Sequence, residues 1–257
     1  MRRRTSTTEV MAISEHELTV MTNDLEQIHH DVGMPAMEAA IDEWTERTRS
    51  SRRGFLIGAG AVAGGAALVA VGTGGSAAWA GTSSKKTVKL KGDLAVAALA
   101  ASLENLAVAA YGDVLTAATK GKLGTVPPAV ATFATTVKAQ HAQHAQAWNS
   151  AIVAAGHKAI TTTDPVLTPI VVADFKKVKN VVGAAKLALV LEDDAAATYQ
   201  SAISAVKATS SVKVAASIQP VEMQHAAILN FVLGQYPVPN AFSPLKGARP
   251  LTDYTKG

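Results

Sequence analysis

Three glutamates and three helix-borne histidines are the residues of this chain best suited to chemistry. From residue 81 onward the only glutamates are Glu104, Glu192 and Glu222. At helical spacing, Glu104 shares a face with Ala97, Ala100, Ala101, Val108, Tyr111 and Leu115. Glu192 shares one with Ala188, Leu189, Ala195, Ala196, Tyr199 and Ile203. A carboxylate in such an apolar stripe needs a metal, another cation or a proton, because an unpaired buried charge is strongly unfavourable. The histidines fit the same demand. His141-Ala142-Gln143-His144 and Glu222-Met223-Gln224-His225 each place two ligand-type side chains three residues apart. Side chains so spaced leave one face of a helix and can converge on one ion. The competing arrangement is a polar core network, with the glutamates paired to these histidines or to Lys138. His157, just after Gly156, reads as a surface loop residue.

The elements that must position these groups are helices. The chain of 257 residues is 48% hydrophobic and 17% charged, and it has no cysteine. That removes disulfides, thiolate zinc sites, iron–sulfur clusters and cysteine nucleophiles. Aromatics make up 5%, too few for base stacking or a haem pocket, and lysines spread over an Ala-rich chain read as solvated surface. Nucleic acid is therefore not expected as a partner. After a Ser/Thr/Lys-rich linker (81–92), Gly and Pro clusters divide the chain into four helices. They are expected at about Asp93–Thr119, Ala129–Ala155, Val181–Lys207 and Val214–Leu233. Short first and third links make two antiparallel hairpins, and the long second link, with Pro165 and Pro169, permits a crossover. The prediction is an all-α, four-helix bundle over 93–235. A tail, 236–257, with Pro237, Pro239, Pro244 and Pro250, should run extended over the surface.

An internal repeat links helix to chemistry. Leu103-Glu104 followed by Tyr111 matches Leu191-Glu192 followed by Tyr199, and the HxxH of the second helix matches the ExxH of the fourth. Tyr111 and Tyr199 lie two turns from their glutamates, about 10.5 Å along the axis. They are expected just outside the ligands, packed and with a hydrogen-bond partner. Trp148 reads as core rather than redox relay, and Asp193 and Asp194 as solvated or lysine-paired.

This pattern resembles the ferritin-like superfamily, especially exported bacterial ferritin-like domain proteins, over about Asp93 to Leu233. The superfamily order is Glu, Glu-x-x-His, Glu, Glu-x-x-His, one element per helix. The resemblance implies Glu104, His144, Glu192, Glu222 and His225 as metal ligands for iron or another transition metal, with manganese and zinc open. His141 stands where the pattern has Glu. Three carboxylates and three imidazoles suit zinc, copper, iron or nickel better than magnesium or calcium. Pro220 either starts the fourth helix, with Glu222 in its first turn, or kinks a longer one.

The N-terminal third reads as an address. Arg52 and Arg53 precede an uncharged Gly/Ala-rich run to Gly72, and Ala78-Trp79-Ala80 offers a peptidase site before Gly81. Segment 51–80 resembles a twin-arginine signal, which implies the twin-arginine export machinery as partner and an envelope or extracellular destination. Uncleaved, it would anchor the protein in the membrane. Residues 1–50 form a polar extension, with Met11, Met21, Met34 and Met37 as alternative starts. Within it Met34–Arg49 should make a short amphipathic helix, and His16, His29 and His30 are expected to play no part in the site. Two functions follow from these readings: an exported protein with a mono- or dinuclear metal site, redox-active or metal-sequestering, or a non-enzymatic envelope protein with a degenerate, metal-free site.

Overall fold

A computed structural model describes residues 13–56 and 90–251. The uncharged run after Leu56 and the Ala78–Ala80 segment lie outside the described residues. Arg52 and Arg53 fall in the last turns of a described helix, but side chains from residue 49 onward in that helix are also outside it.

The elements in chain order are α1 (Glu15–Ile28), a π-helical turn (His29–Gly33), α2 (Met34–Leu56), α3 (Asp93–Thr119), α4 (Pro128–Ala154), α5 (Leu167–Phe175), α6 (Val181–Ala205) and α7 (Thr209–Val232). The last five contain the expected bundle. Helices α3 and α4 pair as one hairpin, α6 and α7 as the other, and α5 lies in the crossover between them. This is the ferritin-like topology.

Local chemistry sets the boundaries. Helix α3 stops at Lys120 because Gly121 turns into the left-handed region at φ 67°. Pro128 opens α4 at the position where its missing N–H is harmless. Asn180 caps α6, its Oδ1 accepting from Gly183 N–H at 2.8 Å. The start of α7 is capped from another helix: the Asp93 carboxylate accepts from the N–H groups of Lys207 and Ala208 and from the Ser211 hydroxyl. The α6–α7 turn is thereby tied to the start of α3. Helix α7 begins earlier than expected and runs through Pro220. Glu222 is therefore mid-helix, so of the two placements open for Pro220 the one inside a longer helix holds.

Small side chains make the bundle tight. Ala97, Ala98, Ala101, Ala147, Ala151, Ala196, Ala197 and Ala215 are all buried, letting helix backbones approach closely. Helix α3 is long and apolar enough to cross a membrane, yet most of it is buried inside the bundle. The tail follows the outer side of α6. Gly247 passes so close that a Cβ there would meet Asp194 Oδ1 at 1.8 Å, and Arg249 N–H donates to Thr198 Oγ1 at 2.9 Å. Asp194 is thus partly covered rather than solvated.

The N-terminal segment departs most from expectation. It is a helical pair packed across α4 and α7. Ser14 and Glu17 form a reciprocal capping box that starts α1. Leu18 and Leu25 then join Phe133, Val137, Leu229 and Val232 in one core cluster. Met37, Ala40 and Trp44 of α2 join Trp148, Ala151, Ile152, Val214 and Ile218 in another. Among the described side chains of this segment, the charged residues from Glu15 to Arg47 are mostly exposed, while its apolar stripe is part of the core.

Candidate metal centre

Each helix of the bundle contributes to one buried cluster. Helix α3 brings Glu104, α4 brings His141 and His144, α6 brings Glu192, and α7 brings Glu222 and His225; all six are at most 3% exposed. The sequence-predicted ligands are thus brought together, on four helices and between both hairpins.

The contacts are direct. His141 Nδ1 lies 2.7 Å from Glu104 Oε2, and its Nε2 3.3 Å from Glu192 Oε1. His225 Nδ1 lies 3.1 Å from Glu192 Oε2, and His144 Nδ1 3.0 Å from Glu222 Oε1. Ligand-type atoms fall into two overlapping groups, each within 4.8 Å: Glu104, His141, His144 and Glu222, then His141, Glu192, Glu222 and His225. Glu222 and His141 are common to both, in the middle, while each group has one glutamate and one histidine of its own. His141, the departure from the superfamily pattern, therefore sits at the centre. Lys138 takes no part in these contacts.

Electrostatics bind the cluster internally. Burial pushes the Glu104 carboxyl up, but His144 and His141 outweigh it and hold it at about 2. Burial likewise opposes ionisation of Glu192, yet His141 and His225 carry it well below the carboxylate range. His144 is raised to about 9 against the pull of burial, chiefly by Glu104. His141 and His225 rise for the same reason, with Glu222 and Glu192 respectively as the leading carboxylates.

The tyrosines cross over. Tyr111 of α3 donates to Glu192 of α6 at 2.5 Å, and Tyr199 of α6 donates to Glu104 of α3. Each phenol thus orients the carboxylate of the other hairpin. Burial, then the neighbouring glutamate, drives both hydroxyls well above the usual phenol range, so they stay protonated donors. Trp148 adds a further link, its Nε1–H donating to the Tyr199 oxygen at 2.9 Å.

Three residues gain roles that the sequence did not reveal. Gln140 Oε1 lies 2.7 Å from His225 Nε2 and fixes the outer side of that ring. His29, expected outside the site, is 4% exposed and lies edge-to-face with His144, ring centroids 5.2 Å apart. Its Nε2 meets Gln143 Oε1 at 2.9 Å. The signal for His29 was the apolar spacing of Leu18, Met21 and Leu25 and of Met37, Ala40, Ile41 and Trp44, which marks a docking face on either side of it.

The donor set fits a transition metal. Both carboxylate oxygens of Glu222 and both ring nitrogens of His144 are buried with no hydrogen-bond partner among the described residues. Their approach at 3.0 Å is close but misaligned for hydrogen bonding. An ion among these atoms satisfies what the protein leaves open. Mixed carboxylate and imidazole donors suit iron, manganese or zinc. An apolar cleft between α3 and α6 leads to Glu104, His141 and Glu192, its walls built mainly from Val96, Leu99, Ala100, Leu103, Leu191 and Ala195.

No curated protein and no solved structure matches the chain. A family model described as a ferritin-like domain matches residues 92–235, the stretch that holds both hairpins and all six cluster residues. By that match, and by its two hairpins joined through a long crossover, the chain belongs to the ferritin-like domain family.

Proposed function

We propose that this is an exported metal protein in which Glu104, His141, His144, Glu192, Glu222 and His225 hold one or two transition-metal ions for redox or metal-sequestering work. The observation that carries the reading is a pair of overlapping ligand groups around a buried carboxylate, Glu222, that has no hydrogen-bond partner. Three carboxylates leave one net negative charge with a single divalent ion and one net positive charge with two. Either loading is electrostatically moderate. A redox-active ion such as iron or manganese supplies electron transfer and Lewis acidity when bound. Tyr111 and Tyr199 hold Glu192 and Glu104 in orientation, Gln140 holds His225, and the apolar walls of the α3–α6 cleft favour entry of small uncharged molecules. That cleft supports redox work over simple sequestration.

Elemental analysis of protein purified without added metal tests the reading. Wild type should carry one or two ions per chain, and Glu104→Ala/Glu192→Ala only background. Equal background in both would leave a ferritin-like shell whose glutamates and histidines serve as a polar network.

The export component rests on Arg52, Arg53, Ala78 and Ala80. Replacing both arginines by lysine should keep the protein in the cytoplasm, while the exported wild type should begin at Gly81. Export indifferent to the double change would remove the twin-arginine route.

A further inference from the structure

The two histidines that belong to only one ligand group have unequal support. His225 has Gln140 at its Nε2. The repeat that pairs His141 with Glu222 pairs Gln140 with Val221, so α7 offers His144 no polar neighbour at the matching position. His144 Nε2 accordingly has no hydrogen-bond partner among the described residues. The space beside this ring is filled from outside the bundle. The π-helical turn places His29 against His144 at an interplanar angle of 74°, and Gln143 holds the His29 ring through its Nε2. Gly33 makes room: a Cβ there would stand 3.2 Å from His29 Nδ1 and press on the ring. A π turn inserts a residue into a helix and so re-aims the side chains that follow, and such turns gather at functional sites.

Resting on the metal-centre reading above, we propose that His29 is a positioning residue for that centre. Carried in by the N-terminal helices, it fixes the His144 imidazole from outside by edge-to-face packing, where Gln140 fixes His225 by a hydrogen bond. In the uncleaved chain the centre is then assembled from five elements, four in the bundle and one from the segment that precedes it.

The test uses the full chain, Co²⁺ as probe, and nitrogen NMR of the histidine rings in the metal-free protein. His29→Ala should weaken Co²⁺ binding by roughly 2- to 10-fold, the scale of losing an edge-to-face ring contact, since no hydrogen bond to His144 is removed. It should also shift the His144 ring nitrogens while leaving those of His225 in place. His29→Gln, which keeps a polar contact to Gln143, should recover part of the affinity. Should His29→Ala loosen the helical pair, seen as faster hydrogen exchange in α1 and α2, Gly33→Ala decides, because it keeps the imidazole and displaces it. Unchanged affinity and unchanged His144 resonances in His29→Ala and Gly33→Ala would overturn the proposal. Wild type that binds no Co²⁺ would fail the metal-centre reading instead, and the His144 resonances would still report whether His29 positions that ring.

Discussion

The α3–α4 and α6–α7 hairpins are two versions of one plan, and they agree and differ in separate places. They agree on α3 and α6: Glu104 with Tyr111 answers Glu192 with Tyr199, and each tyrosine serves the other hairpin's glutamate. They differ on α4 and α7, where His141 answers Glu222, Gln140 answers Val221, and Trp148 answers Leu229. The matched positions are those where each half supplies what the other needs, so a change in one would strand its partner. The unmatched positions lie on the two helices against which the N-terminal pair docks. Symmetry is kept where the bond between the halves is reciprocal, and relaxed where it runs one way, as from His141 to Glu192 and from Gln140 to His225, on the helices where a third element shares the work.

His144 and His29 sharpen this contrast. Their rings are 5.2 Å apart, yet His144 is raised to about 9 and His29 lowered to about 4. Burial depresses both. Glu104 and Glu222 reverse the effect for His144, whereas no carboxylate among the described residues raises His29, which is lowered further by His144. The company of carboxylates, not depth in the fold, decides the sign.

Restoring the symmetry should have the largest effect. In His141→Glu a fourth buried carboxylate replaces the imidazole that bonds Glu104 and Glu192. Without metal the variant should lose about 3–5 kcal/mol of unfolding free energy, the scale for breaking a buried ion pair. With ferrous iron it should regain stability and raise dinuclear occupancy above wild type. Denaturant midpoints with and without iron measure both, and a metal-free variant as stable as wild type would show that His141 does not bind the halves together.

The pH dependence of the metal-free protein is the next effect. Glu104 is depressed when folded, so its contribution is present above the unfolded value of 4.5 and is lost as pH falls toward about 2. His144 is raised when folded, so its contribution is present below 6.5 and is lost as pH rises through about 9. From these two groups, stability should be greatest between about pH 4.5 and 6.5 and decline on both sides. Urea midpoints from about pH 2 to 9 would expose a flat alkaline limb, which the assignment does not allow.

The smallest effect separates the tyrosines. Tyr111→Phe removes one donor from Glu192. Tyr199→Phe removes the donor to Glu104 and also leaves the buried Trp148 N–H without its acceptor. The second change should destabilise by about 1–3 kcal/mol more than the first. Equal losses in thermal or urea unfolding would mean that the Trp148 link adds nothing.

Much of this was legible in the residues. Gly121, Gly124, Pro127, Pro128 and Gly156 delimit the helices of the first hairpin, because glycine readily ends a helix and proline can open one but not continue one. Glutamates are so scarce that their positions pointed to the cluster. Other features depend on relations a linear reading cannot reach. Seven-residue spacing puts Tyr111 two turns from Glu104 on its own helix, and only helix packing shows that it serves Glu192 instead. Pro220 suggests a boundary, but α7 continues through it. His29 reads as dispensable because it precedes the expected cleavage before Gly81, whereas the apolar residues on either side of it decide where the segment docks.

The docked N-terminal pair also constrains the geography of the chain. Trp44 and Trp148 share one core cluster, so α2 and α4 occupy the same aqueous compartment whenever this packing exists. A bilayer crossed between Leu56 and Leu90 would put them on opposite sides. The packed arrangement therefore requires both helices on one side of any bilayer, and passage of the bundle alone would require the pair to let go. Release would return Leu18, Leu25, Met37 and Trp44 to water, at about 1.5–3 kcal/mol for each large apolar side chain. It would also bare the apolar stripe of α4 and α7 and withdraw His29 from His144. If residues 51–80 direct export, the travelling bundle and the resident precursor are two different molecules in surface and in site.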